Sequence, residues 1–397
     1  MNSQPKATPD AATLLADLIK CPSVTPNEAG TLAYLEDRLG QAGFEVQRLT
    51  FSAPDTPDVE NLFASIGTGR PHLLFNGHTD VVPPGDEARW SHPPFAAERA
   101  DGLMFGRGAV DMKGGIACFL AATLDYLAKV GTPAGTLSFM VTTDEEGPAI
   151  NGSAKLVEWA RERGFDFDAG LVGEPTSVKA LGDTIKIGRR GSLSFTLSVT
   201  GKQGHVAYPH QADNPTTRLV RLLASLLDIR FDDANENFEA SNLEITSIDV
   251  GNPVVNIIPA SATARFNVRF NDGWNLASVE ALIRKTLDEV GPAYELGRTA
   301  LAADAFLTSA HELLAPLTAA ITEITGVTPE YSTGGGTSDA RFVKDLCPVV
   351  EFGPVGDTLH QIDERVPLAD LERLSVIYHR FLELFFSGTE PRNAEPR

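Results

Sequence analysis

Three short apolar runs in the first half of the chain each end directly in acidic or histidine residues. They are "HLLFNGHTD" (72–80), "TLSFMVTTDEEG" (136–147) and "AGLVGEP" (169–175), and helix-like segments separate them. Strands that alternate with helices predict an α/β fold with a mainly parallel sheet and helices on both faces. Ligands of such sheets bind beyond the carboxyl ends of the strands, so we expect these polar residues to share one site.

The strand and helix pattern changes near residue 191 and changes back near residue 305. Between these points, strands of period two and two helical segments follow in the order β-α-β-β-α-β, which predicts a smaller α+β unit with an antiparallel sheet. We therefore expect a catalytic domain of residues 1–190 and 305–397, with residues 191–304 inserted as a separate domain. A chain of 397 residues also exceeds what one core normally serves.

The composition argues against several classes of protein. No apolar run approaches the roughly 20 residues of a membrane helix, and the N-terminus lacks the pattern of a secretory signal. The formal net charge of −20 disfavours nucleic acid and anionic membranes as partners. The three cysteines have no CxxC spacing, which argues against a disulfide scaffold. We expect a cytoplasmic protein.

Five side chains far apart in the chain are candidate metal ligands. Some have simpler explanations when taken singly, since Asp111 could cap a helix and Glu146 could belong to a charged loop. Together the five supply two imidazoles and three carboxylates, the ligand set expected of a two-metal hydrolase. They are His78, Asp111, Glu146, Glu174 and His360.

Two further carboxylates accompany this set. Asp80 follows His78 by two residues, so both side chains would point to one face if the strand continued, and Asp80 could then orient the imidazole. Glu145 and Glu146 are adjacent, so one can bind metal while the other takes a proton from the attacking water.

Beyond these residues, whole motifs are similar to those of a known family. They are "GHTDVVPPGD", "GRGAVDMKGG", "TTDEEG", "VGEP", "GRRGS", "GHVAYPH" and "TGGGTSDAR". The chain resembles the bacterial succinyl-diaminopimelate desuccinylases of the dizinc M20 aminoacylase/carboxypeptidase family, from about residue 12 to 385. The resemblance implies two Zn²⁺ ions per subunit, with Co²⁺ as a substitute. Asp111 would bridge them, with His78 and Glu174 at one ion and Glu146 and His360 at the other.

The resemblance also implies catalytic roles and a homodimer. Glu145 would be the general acid and base, and Asp80 the partner of His78. The inserted domain would form the dimer and send His205 into the neighbouring subunit's active site, where it stabilises an oxyanion.

The substrate that the resemblance implies is N-succinyl-LL-2,6-diaminopimelate, which would be cleaved to succinate and LL-2,6-diaminopimelate for lysine and cell-wall synthesis. Arginine suits its carboxylates because a guanidinium group donates two parallel hydrogen bonds. The residues that would bind this substrate are Arg189, Ser192, Tyr208, Asn256, Arg269, Gly336, Thr337 and Arg341.

Several alternatives stay open at this point. An N-acetylornithine deacetylase or another M20 aminoacylase would use the same site, and Gly356 stands where many desuccinylases have asparagine. A phosphate or nucleotide binder could use "STGGGTSD" as a backbone nest, but this leaves His78 and His360 unexplained. A catalytically silent metal-binding protein would not need Glu145. A serine hydrolase lacks its GxSxG motif here, and "HELLA" (311–315) lacks the second histidine of a zinc-protease helix.

Overall fold

The computed structural model describes residues 8–387, except for the side chains of residues 299–301. The chain forms two compact units. Among the described residues, the first contains 8–188, Thr308–Ser332 and 338–387, and the second contains Arg189–Leu307 and Thr333–Thr337. The sequence pattern does not predict that residues 333–337 join the second unit. The terminal residues 1–7 and 388–397, which the prediction assigns to the catalytic domain, lie outside the described residues.

The described residues contain the following regular elements. The helices are α1 (Ala11–Ile19), α2 (Thr31–Gln41), α3 (Lys113–Val130), α4 (Ser153–Glu162), α5 (Pro215–Leu227), α6 (Leu276–Val290), α7 (His311–Thr325), α8 (Ala340–Val343) and α9 (Leu368–Ser387). The strands are β1 (Glu45–Phe51), β2 (Val59–Gly67), β3 (His72–His78), β4 (Arg99–Ala100), β5 (Leu103–Phe105), β6 (Thr136–Thr142), β7 (Ala169–Val172), β8 (Thr184–Lys186), β9 (Gly188–Arg189), β10 (Gly191–Thr200), β11 (Gly204–His205), β12 (Asn242–Asp249), β13 (Ile257–Ile258), β14 (Ser261–Phe270), β15 (Glu295–Ala303), β16 (Phe306–Leu307), β17 (Glu330–Ser332), β18 (Val349–Glu351) and β19 (Arg365–Pro367).

The first unit is built on an eight-stranded sheet with the order β1-β2-β6-β3-β7-β18-β8-β17. Its four central strands, β6, β3, β7 and β18, are parallel to one another. The outer strands β1 and β2 are antiparallel to their neighbours, as is β8 to β18. The three apolar runs form β3, β6 and β7, which are buried along their whole length, as parallel strands covered on both faces require.

Helices cover both faces of this sheet. On one face, Phe75 of β3 stacks on Phe119 of α3, with ring centroids 4.0 Å apart. The next residue, Asn76, points to the other face, where its side-chain amide lies 3.4 Å from Oγ of Ser153 in α4. In the part of the chain that the structure describes, none of the helices combines the length and apolar character needed to cross a bilayer.

The second unit contains a four-stranded antiparallel sheet with the order β12-β14-β10-β15. The inward side chains of β10, including Phe195, pack with those of β14 and with the apolar faces of α5 and α6. In chain order the long elements are β10, α5, β12, β14, α6 and β15. The predicted fold class, an α/β sheet domain with an α+β unit of this order, is confirmed.

Candidate metal centre

The first of two candidate ligand groups forms where β3 ends at His78. The Nε2 atom of this buried imidazole lies 3.1 Å from Oδ1 of Asp111 and 3.7 Å from Oε1 of Glu174. One atom from each residue lies within 4.8 Å of the others. Because Zn²⁺ binds nitrogen and oxygen at roughly 2 Å, two ligands of one ion lie roughly 3 to 4 Å apart, which these distances fit.

The second group shares Asp111 with the first. Oδ2 of Asp111 lies 3.2 Å from Nε2 of His360, and that nitrogen lies 2.9 Å from Oε1 of Glu146. These three residues also place one ligand atom each within 4.8 Å of the others. Asp111 thus directs one oxygen to His78 and the other to His360, as a bridging carboxylate between two ions would.

Close packing at a glycine brings Asp111 and Glu174 together. The helix α3, which follows Asp111, begins at Lys113 with Met112 as its N-cap, so the alternative that Asp111 caps this helix is wrong.

The approach of α3 to β7 depends on the glycine-rich start of the helix. A Cβ atom at Gly115, in the first turn of α3, would lie 1.9 Å from the carbonyl oxygen of Gly173. Only glycine allows this approach of α3 to the end of β7, from which Glu174 follows.

Asp80 makes a different contact with His78 from the one the sequence predicts. The strand β3 ends at His78, so the alternation of side chains does not continue to Asp80. The Nδ1 atom of His78 lies 3.0 Å from the backbone carbonyl oxygen of Asp80 and 3.6 Å from its carboxylate. That carboxylate instead accepts the backbone N–H groups of Glu145 at 3.2 Å and Glu146 at 3.0 Å. Asp80 therefore supports the imidazole and the Glu145–Glu146 segment at once.

Glu145 lies beside the two ligand groups but belongs to neither, and its side chain is 12% exposed. Burial, together with the negative charges of Asp339 and Glu146, raises its pKa to about 8 against the opposing charges of His78 and Arg341. Nη2 of Arg341 lies 3.9 Å from Oε1 of Glu145. A carboxyl group with a pKa near neutrality can both take and return a proton, as general acid–base catalysis requires.

The crowded charges of the cluster shift the pKa values of its other members. Burial lowers the pKa of His78, but hydrogen bonding to Asp111 and the charge of Glu174 outweigh it and hold that pKa well above its ordinary value. Hydrogen bonds to Asp111 and Glu146 raise the pKa of His360 to about 10. Burial and the charge of Asp111 raise the pKa of Glu174 well above its ordinary value.

Burial and the close approach of several carboxylates cause these shifts. Three carboxylates and two neutral imidazoles match the charge and donor types of a pair of divalent ions. Histidine, aspartate and glutamate also suit zinc better than calcium, which prefers an all-oxygen set. The residues present therefore fit two transition-metal ions.

Arg341 lies in the first unit with these groups, whereas the other predicted substrate-binding residues and His205 belong to the second. Within the second unit, Ser192 of β10 is paired directly with Arg269 of β14, and Nη1 of Arg189 donates to the carbonyl oxygen of Gly334 at 3.2 Å. His205 and Tyr208 are exposed and adjacent, with ring centroids 5.6 Å apart. The roles of the second unit's residues stay predictions, and these residues are Arg189, Ser192, His205, Tyr208, Asn256, Arg269, Gly336 and Thr337.

Sequence reasoning did not find the acidic residues that hold the loop after β6. The carboxylate of Asp144 accepts the backbone N–H groups of Ala149, Ile150 and Asn151 at 3.0 to 3.1 Å. Oδ2 of Asp339 accepts a hydrogen bond from Ser153 Oγ at 2.6 Å. The only sequence signal for Asp144 is its position beside Glu145. Asp339 lies in the motif "TGGGTSDAR", which the resemblance assigns to substrate binding.

Fold and cluster together define a mixed α/β protein whose first unit carries a candidate two-metal centre. The chain belongs to peptidase family M20/M25/M40, whose model matches residues 74–384. It is therefore an M20-family metallo-hydrolase, and the two ligand groups that share Asp111 fit the dinuclear centre of this family.

Several solved structures share the fold at low sequence identity. An M20 metallo-carboxypeptidase from Sulfolobus solfataricus is 18% identical, with a TM-score of 0.82 over 95% of this chain and 99% of that one. Human carnosine dipeptidase 1 is 19% identical, with a TM-score of 0.75 over 95% and 96%. The YxeP protein of Bacillus subtilis, described as a dinuclear metal-binding peptidase, is 17% identical, with a TM-score of 0.67 over 95% and 97%. At these identities the likeness supports the fold alone.

Proposed function

We propose that this protein is a dizinc amide hydrolase that cleaves N-succinyl-LL-2,6-diaminopimelate to succinate and LL-2,6-diaminopimelate. The observation that carries the hydrolase part is the pair of ligand groups sharing Asp111, with the largely enclosed carboxyl group of Glu145 beside them. The substrate part is supported by the motifs "GRRGS", "GHVAYPH" and "TGGGTSDAR". Zn²⁺ is the proposed metal, and Co²⁺ the expected substitute.

The side chains divide the work as follows. His78, Asp111 and Glu174 would hold one ion, and Asp111, Glu146 and His360 the other. Such ions, when bound, polarise a carbonyl oxygen and lower the pKa of a water from 15.7 to about 7. Glu145 takes the proton of the attacking water and then delivers it to the leaving amine. Asp80 keeps Glu145 in place by accepting its backbone N–H.

Substrate recognition is proposed to rest on arginines. The substrate carries three carboxylates, and a chain with a net charge of −20 needs local positive charge to bind it. Arg341, near Glu145, is one proposed contact. Those proposed in the second unit are Arg189, Ser192, Tyr208, Asn256, Arg269, Gly336 and Thr337.

The proposed active form is a homodimer in which His205 of the partner subunit stabilises the oxyanion. Mixing a Glu145→Gln subunit with a His205→Ala subunit tests this arrangement. Random exchange would give one intact site in each mixed dimer, so activity should return to about a quarter of the wild-type value. Mixtures that stay as inactive as the separate variants after verified subunit exchange would contradict a shared site.

A second candidate is hydrolysis of acetylornithine, another acyl amino acid or a small peptide. It is favoured by Gly356, which supplies no side chain four residues before His360. A Cβ atom there would lie 2.8 Å from Cδ1 of Leu359, so a larger residue would need that leucine to move. The structural neighbours from Sulfolobus and human are also named as a carboxypeptidase and a dipeptidase.

The deciding experiment compares these substrates on one metal-loaded preparation. Product amine is measured with ninhydrin, with and without chelator and with Zn²⁺ or Co²⁺ added back. We expect kcat/KM on succinyl-diaminopimelate to exceed that on the other compounds by at least about 100-fold, which corresponds to about 2.7 kcal/mol. Faster turnover of acetylornithine or a dipeptide would transfer the assignment to that substrate, and chelator-resistant turnover would refute the metal mechanism.

The role of Glu145 is tested by Glu145→Gln. This variant keeps the shape of the side chain but cannot take a proton, so kcat should fall by about 10³-fold or more. Because Glu145 is in neither ligand group, the metal content should stay at two ions per subunit. Near-normal turnover would show that another group is the base.

A further inference from the structure

Two buried residues outside both ligand groups connect the chain segments that carry Asp111 and His360. They are Arg107 and Glu364, whose exposed fractions are 2% and 0%. Nη1 of Arg107 donates to Oε2 of Glu364 at 2.7 Å. Arg107 lies just before Asp111, and Glu364 just after His360.

The carboxylate of Glu364 shapes the backbone that leads to Asp111. Its Oε1 atom accepts the N–H groups of Val110 at 2.8 Å and Asp111 at 3.2 Å. Its Oε2 atom accepts the N–H of Gly108 at 3.0 Å in addition to the guanidinium of Arg107. Four donors therefore surround this carboxylate, and three of them are backbone groups of the Asp111 loop.

Arg107 extends the same connection to the loop of His360. Its guanidinium donates to the carbonyl oxygens of Gln361 at 3.2 Å and His360 at 3.4 Å. It also lies over the ring of Trp90, 5.2 Å from the centroid. His360 has φ of +57°, a left-handed conformation that costs a non-glycine residue roughly 1 to 2 kcal/mol. The bond from Arg107 to its carbonyl oxygen helps to hold that conformation.

The two ligand groups differ in how the fold supports them. His78 ends a central strand, and its side chain is 1% exposed. His360 lies between regular elements, and its side chain is 49% exposed. A sheet ladder therefore fixes the first histidine, whereas the second depends on side-chain contacts to its loop.

We propose that Arg107 and Glu364 are positioning residues for the second ion. They set the separation of Asp111 and His360, and so the metal affinity of the group formed by Asp111, Glu146 and His360, without contacting the ion. This inference rests on the proposed function, because it requires that both groups bind metal. A buried ion pair alone adds little net stability after its desolvation, so its bonds to both ligand loops are its informative feature.

The test is a metal titration of three variants. Glu364→Gln replaces one acceptor oxygen with a donor that faces N–H groups, and Arg107→Lys keeps the charge but loses the planar fork. Asp232→Asn is the matched control, because the carboxylate of Asp232 also accepts three hydrogen bonds, from the N–H and hydroxyl of Ser241 and from Nε1 of Trp274, but lies in the second unit, which contains none of the five ligands. Each metal-free protein is titrated with Zn²⁺ against a chromogenic chelator and with Co²⁺ followed by its visible absorption.

We expect Asp232→Asn to bind two ions, each with the affinity that it has in the wild type. Arg107→Lys should bind one ion normally and the other about 10- to 100-fold more weakly, the usual effect of removing a partner of metal ligands. Glu364→Gln should weaken the same ion by a similar factor and the other ion less, because its hydrogen bonds reach Asp111, which is in both groups. Loss of one ion with the other unchanged is a result that general destabilisation would not give.

Three results would contradict either the positioning role of Arg107 and Glu364 or the proposed function, and they distinguish the two. Wild-type affinity for both ions in Arg107→Lys and in Glu364→Gln overturns the inference and leaves the proposed function intact. Equal weakening of both ions, with a lower melting temperature of the metal-free protein, assigns the pair a structural role only. Fewer than two ions in wild type refutes the proposed function itself. If Glu364→Gln does not fold, Arg107→Lys decides between these results.

Discussion

The two ends of β3 each carry a buried histidine, and the pKa values of the two imidazoles are shifted in opposite directions. His72 begins the strand and His78 ends it. At His72, Nδ1 lies 3.0 Å from the carbonyl oxygen of Asp166, and Nε2 lies 2.8 Å from Oγ of Ser138. At His78, Nε2 faces the carboxylates of Asp111 and Glu174.

Burial acts on both rings in the same direction, so their partners make the difference. Burial lowers the pKa of His72, and the charges of Asp168 and Asp166 do not offset it. Burial also lowers the pKa of His78, but the adjacent carboxylates reverse the shift. The amino end of the strand thus holds a neutral structural histidine, whereas the carboxyl end holds an imidazole among anions, where a cation is stabilised.

The largest expected effect is the difference in activity and metal content between a variant of His78 and a variant of His72. His78→Ala should lose at least about 10³-fold in activity together with an ion, because the first ligand group loses its only nitrogen. His72→Asn should keep both ions and activity within about 3-fold, while its lost hydrogen bonds cost about 1 to 3 kcal/mol of stability. Metal analysis, kinetics and denaturant unfolding of both variants check this contrast. Metal loss in His72→Asn would contradict the assignment of a purely structural role to His72.

A smaller effect is expected from metal removal. Ions bound only by the native state stabilise it by RT ln(1 + [L]/Kd), about 4 kcal/mol when the free metal is 1,000 times Kd. Chelation should therefore lower the melting temperature of wild type and of His72→Asn by similar amounts, and that of His78→Ala by less, because this variant has only the second ligand group left intact. Calorimetry at a fixed concentration of free metal measures these melting temperatures. Equal decreases on chelation in all three proteins would place the ions away from His78.

The smallest expected effect is a pH dependence at His72. Its pKa is lowered in the folded state from an ordinary value of 6.5, so the unfolded chain binds the extra proton first. The contribution of His72 to stability is therefore complete above about pH 6.5 and falls as pH drops toward the folded-state pKa. Unfolding free energies of wild type and His72→Asn, at equal metal loading from pH 7.5 to 5.5, should converge at the acidic end. A constant difference would show that His72 does not titrate in this window.

Several of the residues that the structure gathers into the two ligand groups could be predicted from the sequence because their signals are local. Apolar runs that end in His78, Glu146 and Glu174 predict strand ends, and the carboxyl ends of parallel strands lie along one edge of a sheet. The order β-α-β-β-α-β of the second unit was equally readable, because period-two and helical patterns depend only on neighbouring residues.

The contacts that complete the site could not be predicted from the sequence in the same way. The prediction for Asp80 assumed that β3 continues past His78, whereas the chain turns there and sends the carboxylate to the backbone of Glu145 and Glu146. The sequence did not predict the bond between Arg107 and Glu364, because it joins segments that only the folded chain brings together.

The sequence by itself determined the types of group available, the strand ends on which several of them lie, and through whole motifs the family. Only the tertiary structure decided that Asp111 turns its two oxygens to two different histidines and that His72 and His78 have pKa values shifted in opposite directions. The physical reason is that burial and charge depend on distances across the fold, whereas propensity and periodicity depend on neighbours along the chain.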